Sequence, residues 1–139
     1  MSHFIVQQKV LFQHCDPAGI VFYPRYFEMI NAAVETWFEE GLGVSFASLH
    51  GTRNRAVPTV TIETTFQNPS HLGDILQIGV TVLKIGGASL NLEVCAQSRD
   101  TKRFESSLTL VHINKETGRP NPWPDDLRGA INTVLKEAS

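Results

Sequence analysis

Hydrophobic and polar positions change period twice along this chain, from near two to near four and back to two. The run from Phe4 to Phe12 contains Ile5, Val6, Val10 and Leu11 and predicts a strand. Between about Pro24 and Glu40, Phe27, Ile30, Val34, Trp37 and Phe38 recur at spacings of three, four and seven. That spacing predicts a helix with one apolar face. Pro24 suits its first position, and Gly41 and Gly43 suit left-handed caps at its end. Beyond Thr59 the alternation returns. Val60, Ile62 and Phe66 alternate with threonines and Gln67, and Leu76, Ile78, Val80 and Val82 alternate along the next run. Leu90, Leu92, Val94 and Ala96 interleave with Asn91, Glu93, Cys95 and Gln97, and Leu108 and Leu110 share a face opposite Val111 and Ile113. Turn residues fall between the runs: Asn68-Pro69, Leu72-Gly73-Asp74, Gly86-Gly87 and Arg99-Asp100. Such short connections favour antiparallel pairing. The segment Pro120–Pro124 reads as a stiff turn, and Asp125-Asp126 start a short final helix through Lys136. One long amphipathic helix must bury its face on the sheet, an α+β plan.

A length of 139 residues fits a single domain spanning residues 1–139, with no internal repeat, linker or low-complexity segment. Apolar residues at 42% and charged residues at 19% describe an ordinary globular chain. The net charge of −2 excludes the basic field of a general nucleic-acid binder. Met1-Ser2-His3-Phe4 lacks a secretory signal pattern, and no apolar run could cross a bilayer. Two cysteines, Cys15 and Cys95, make no disulfide framework, so the expected location is cytoplasmic. No phosphate-binding glycine loop is present.

The chemistry concentrates between Cys15 and Asn31. Asp16 lies in a turn just ahead of a helix start. A carboxylate there can act as nucleophile or general base, and unpaired N–H groups at the helix start can hold an oxyanion. An aspartate before proline also commonly caps its own turn. Cys15 beside His14 suggests a thiol nucleophile, and His14 with Asp16 suggests metal ligands. Two ligands fall short of a zinc set, so no metal is expected. Adjacent residues of an extended chain point apart, so Cys15 is expected as apolar filler that shares no site with Asp16. Asn31 falls about 40° from Phe27 on the helix, at the shoulder of the apolar stripe. Arg53, Arg55, Lys84, Arg99, Lys102 and Arg103 are the cations available to phosphates, most of them expected as scattered surface charge. His112 alternates with Val111 and Ile113 and reads as structural or exposed.

Asp16-Pro17-Ala18-Gly19-Ile20-Val21, an aromatic, Tyr23-Pro24 and then a helix resemble the 4-hydroxybenzoyl-CoA thioesterase branch of the hotdog-fold acyl-CoA thioesterases. The likeness is strongest over residues 5–45. It implies a hotdog fold, an antiparallel sheet of five or six strands wrapped around one long helix. It implies hydrolysis of an acyl-CoA thioester with an aromatic or short-to-medium acyl group, without metal or cofactor, coenzyme A being part of the substrate. Asp16 then matches the catalytic carboxylate and the Tyr23 N–H the oxyanion donor, with Gly19, Phe22 and Tyr26 around the substrate. Asn31 stands where that branch has an aspartate that accepts from a phenolic hydroxyl. The family carries basic residues around the turn that reads Lys84-Ile85-Gly86-Gly87-Ala88-Ser89 here, so Lys84 and Ser89, with Arg99, are candidate coenzyme A contacts. Family members pair two sheets edge to edge and place the pocket between subunits, which implies a homodimer or a dimer of dimers (a homotetramer). Two other readings use the same fold: hydrolysis of acyl carrier protein thioesters, and non-catalytic binding of acyl-CoA.

Overall fold

The computed structural model describes residues 2–138. Among the described residues seven strands run in chain order: β1 (Phe4–Lys9), β2 (Arg55–Ala56), β3 (Thr59–Phe66), β4 (Ile75–Ile85), β5 (Ser89–Ser98), β6 (Thr101–Val111) and β7 (Ile113–Asn114). The helices are α1 (Pro24–Thr36) and α2 (Asp125–Ala138). Five strands form one antiparallel sheet in the order β1-β4-β5-β6-β3, while β2 and β7 pair separately. This is the hotdog arrangement, a five-stranded antiparallel sheet against one long helix.

The period-two pattern explains the core. Leu76, Ile78, Val80 and Val82 of β4 and Leu90, Leu92, Val94 and Ala96 of β5 all turn inward and are buried. Phe104, Leu108 and Leu110 of β6 continue the layer. Against it α1 buries Tyr26, Met29, Ile30, Ala33 and Val34, followed by Trp37 and Phe38. The stripe is therefore wider than the predicted one, and Phe27 at its margin is only half-buried. Past Thr36 the helix widens into a π-type turn over Trp37–Gly41, closed by the Leu42 N–H on the Trp37 carbonyl at 3.0 Å. Gly41 is not a left-handed cap. A Cβ there would fall 2.5 Å from Trp37 Cδ1, so the ring's approach demands glycine, and only Gly43 has positive φ.

Three further boundaries differ from the sequence reading. The first strand stops at Lys9, and Phe12–His14 form a 3-10 turn with Phe12 83% exposed. A helical turn at Ser48–Thr52, which no strong periodicity announced, buries Leu49. The last long strand starts at Thr101, and β7 leaves the sheet to pair with β2. The final helix forms as expected and buries Leu127 and Ile131. At the sheet's edge β3 has the right alternation, yet almost all of it is exposed, because α1 packs on β1 and β4 and leaves β3 largely uncovered.

Candidate active site

Asp16 stands at the tip of a hairpin that the local sequence dictates. Pro17 pre-sets a turn and Gly19 takes φ +82°, giving the three-residue loop with a left-handed glycine. The Gly19 N–H donates to the Asp16 carbonyl at 2.9 Å, and the Asp16 N–H to the Ile20 carbonyl at 3.0 Å. Cys15 pairs with Val21, and the Phe22 N–H closes the neck on the His14 carbonyl at 2.9 Å. The hairpin docks on the segment before β4, where the Val21 N–H donates to the Ser70 carbonyl at 2.9 Å. Asp16 Oδ1 accepts the Ala18 N–H at 2.9 Å, so the ordinary turn-capping role is real. That bond orients the carboxylate and leaves Oδ2 without a partner among the described residues. Asp16 lines an open groove of about 340 Å³ with Phe12, Cys15, Pro17, Gly19 and Leu72. Cys15 thus lines the same groove as Asp16, contrary to the expectation from extended-chain geometry, because the hairpin bends here. Its thiol points to the Leu11 carbonyl at 3.6 Å, and it packs against the core as filler.

Tyr23 begins α1 in helical conformation with Pro24 at the first position. The Arg25 and Tyr26 N–H groups bond back to the Phe22 and Tyr23 carbonyls, whereas the Tyr23 N–H has no partner among the described residues. Beside it a second groove of about 260 Å³ is walled by Ile20, Val21, Tyr23, Tyr26, Phe66 and Pro69. Asp16 and Gly19 therefore line one groove and Tyr23 and Tyr26 the next, with the hairpin between. Tyr26 is buried, with its ring 5.7 Å from Phe66 and 5.0 Å from Phe104. Its hydroxyl donates to Ser70 Oγ at 2.9 Å, and burial raises its pKa. It is a wall with a satisfied hydroxyl. Phe22 and Tyr23 are exposed and meet edge to face at 5.8 Å, and Asn31 is exposed on α1, outside both grooves.

Beneath the hairpin lies a polar network that pattern reading missed. Arg103, expected as surface charge, is buried and donates to Asp74 Oδ2 at 3.0 Å, the Pro69 carbonyl at 2.8 Å and the Ser98 carbonyl at 3.1 Å. The His71 N–H, then Arg103, hold the Asp74 carboxyl below the usual carboxylate range. The sequence carried no signal for this burial: a register shift between Ala96 and Gln97 opposite Lys102 breaks the alternation and turns Arg103 inward. Lys84 and Ser89 fall at the far end of β4 and β5 from Asp16, a strand of 11 residues away. Their turn is clasped by the C-terminal segment: Arg128 donates to the Gly86 and Gly87 carbonyls, and Trp123 Nε1 to the Ser89 carbonyl at 3.0 Å. Arg99 lies at the opposite turn, at the hairpin's end of the sheet, where its charge reaches Asp74. His112 is structural: buried, bonded through Nδ1 to the Asn121 carbonyl at 2.9 Å and 5.0 Å from the Trp123 ring. Burial, with Glu93 and Glu105 nearby, pushes the Cys95 thiol up to about 12, far from a nucleophile's range.

The chain resembles proteins of known chemistry along most of its length. A 1,4-dihydroxy-2-naphthoyl-CoA hydrolase of Prochlorococcus marinus is 28% identical over 149 aligned positions, covering 98% of this chain and 97% of the relative. The crystal structure of a 1,4-dihydroxy-2-naphthoyl-CoA thioesterase from Synechocystis superposes with a TM-score of 0.85 at 21% identity, covering 93% of this chain and 95% of that one. A gentisyl-coenzyme A thioesterase structure gives 0.82 at 24% identity, over 90% of this chain and 99% of that one. Residues 10–131, which include the hairpin, the helix and the whole sheet apart from β1, match the family described as the thioesterase-like superfamily. The chain belongs to that superfamily and is a thioester hydrolase.

Proposed function

We propose that the protein hydrolyses acyl-CoA thioesters whose acyl group is aromatic, from a hydroxybenzoyl ring to a two-ring naphthoyl system. The observation that carries this reading is the Asp16 carboxylate, held by its own turn at the edge of an apolar groove with one oxygen unengaged. As nucleophile, Asp16 adds to the thioester carbonyl, the C–S bond breaks, coenzyme A leaves as thiolate, and water hydrolyses the mixed anhydride. As general base, Asp16 instead takes a proton from the attacking water. In either case the unpartnered Tyr23 N–H at the helix start is the group suited to the developing oxyanion, a role worth roughly 3 kcal/mol of barrier. Aromatic walls from Phe12, Tyr23, Tyr26 and Phe66, and the aryl-CoA substrates named for the relatives, favour an aryl group. Asn31 supplies hydrogen bonding without charge for ring hydroxyls reaching the outer face of α1. Arg99 is the candidate phosphate contact within reach of the Asp16 end of one chain, and Lys84 and Ser89 could serve only a substrate bound across a partner. Two free cysteines suit a reducing cytoplasm.

The site also calls for a second copy of the chain. Both grooves flanking the hairpin are open, so one chain does not enclose a substrate there. On β3, Val60, Ile62 and Phe66 are 55%, 41% and 43% exposed along an unpaired edge. A homodimer, alone or paired again into a tetramer, would cover that edge and wall in the substrate. Turnover measured over benzoyl-, 4-hydroxybenzoyl-, gentisyl- and 1,4-dihydroxy-2-naphthoyl-CoA, beside aliphatic acyl-CoAs and an acyl carrier protein thioester, tests the assignment. Preference for an aryl-CoA is expected. A preference for the carrier protein or an aliphatic chain would replace the substrate class, and binding without turnover would leave a non-catalytic module.

A further inference from the structure

The neck of the Asp16 hairpin converges on one side chain that the chemistry above does not use. His14 Nδ1 accepts the Leu11 N–H at 2.9 Å, while the His14 N–H donates to the Leu11 carbonyl at 2.9 Å. The His14 carbonyl accepts the Phe22 N–H at 2.9 Å, the last bond before α1 begins. One buried residue thus ties the 3-10 turn on one side of Asp16 to the helix start on the other. We propose that His14 is a positioning residue for the reaction proposed above: its unprotonated ring locks the hairpin neck, and protonation unlocks it. Nδ1 can accept only while it carries a lone pair, which places the proton of the neutral ring on Nε2. An imidazolium would turn an N–H against the Leu11 N–H, and the turn could not keep its reciprocal bonds. Asp16 and the Tyr23 N–H would then lose their relative placement.

The surroundings favour the unprotonated ring at neutral pH. Burial lowers the pKa of His14 below its ordinary 6.5; Glu28 opposes the shift and Arg25 adds to it. Those two face it from α1 and are paired to each other at 3.1 Å, while Cys15 and Asp16 are the titratable neighbours on its own segment. His71, bridged to the hairpin through Ile20, is the one other histidine beside the loop among the described residues, and it is exposed.

The test compares the pH dependence of kcat for wild type, His14→Asn and His71→Asn on the aryl-CoA turned over fastest. Asparagine presents an acceptor oxygen close to the place of Nδ1 and does not titrate. Wild type should lose about tenfold of its turnover through an inflection below pH 6.5, above the range where carboxylates in general protonate. His14→Asn should keep turnover within a few-fold at pH 7.5 and lack that inflection, and His71→Asn should retain it. An unchanged acid limb in an active His14→Asn, or its loss in His71→Asn, overturns the proposal. A second measurement needs neither a variant nor a substrate. In NMR of the free wild-type protein, the Leu11, Phe22 and Gly19 amides should shift with the titration of the His14 ring. Amides that ignore that titration overturn it, even if His14→Asn fails to fold. Absence of hydrolysis on every acyl-CoA would instead sink the substrate reading and leave the NMR result to decide the lock.

Discussion

On the proposed reading, Asp16 combines a turn-capping role and a chemical role that are usually treated as alternatives. Its Oδ1 holds the Ala18 N–H, and its other oxygen has no partner among the described residues. The arrangement makes Asp16→Asn an unusually clean test, since the asparagine Oδ1 can accept the same N–H and preserve the hairpin. Turnover should fall by about two to four orders of magnitude with circular dichroism and unfolding midpoint nearly unchanged. Activity within a few-fold of wild type would remove Asp16 from the chemistry. Cys15, in the same groove, has no comparable role: its thiol is directed at the Leu11 carbonyl.

Four elements meet beneath the hairpin and are held by the Arg103–Asp74 pair. Arg103 draws in the β5–β6 turn through the Ser98 carbonyl, Asp74 holds the His71 N–H, and Ser70 receives both Tyr26 from α1 and Val21 from the hairpin. The two side chains are only 7% and 13% exposed, so each charge depends on the other for solvation. Asp74→Asn leaves Arg103 buried without its counter-ion and should destabilise the fold by about 3–5 kcal/mol. Combining it with Arg103→Met, of similar volume, should recover part of that loss. Urea unfolding of the single and double variants reads both numbers. A double variant no more stable than Asp74→Asn would mean that the pair is not what holds this corner.

Over the whole molecule, two features should appear in solution. The first is association: the exposed apolar residues of β3 lie on an unpaired edge. Sedimentation at low micromolar concentration should give a dimer or tetramer, and Ile62→Lys should shift it toward monomer while unfolding little, because Ile62 is 41% exposed in the single chain. A fully active wild-type monomer would refute a site shared between subunits. The second is pH dependence of stability. Burial lowers the pKa of both His14 and His112, so between each folded value and about 6.5 the unfolded chain binds more protons. Stability is full above pH 6.5 and falls on acidification, by up to about 1.4 kcal/mol per pH unit for each group. Asp74, lowered by the His71 N–H and Arg103, adds a further loss at more acid pH, as its carboxyl protonates. Thermal melts from pH 8 to 5 should show the first decline, and His112→Asn should flatten it.

How much of this was legible in the chain differs by the range of the cause. The period of Ile30, Val34, Trp37 and Phe38 set the helix, and the alternation from Leu76 to Val82 and Leu90 to Ala96 set the inner face of the sheet. Pro17 and Gly19 set the hairpin that presents Asp16. These follow from backbone sterics and side-chain period, which act over a few residues. Burial of Arg103 was not legible, because it depends on a bulge opposite Gln97 and on partners 29 and 34 residues away. Nor was the exposure of β3, whose alternation matches a buried strand but whose place at the sheet's edge is a property of strand order. His14 illustrates the division most directly. Its bonds are local and span only three and eight residues, yet what they can do depends on tertiary packing, which buries the side chain and lowers its pKa.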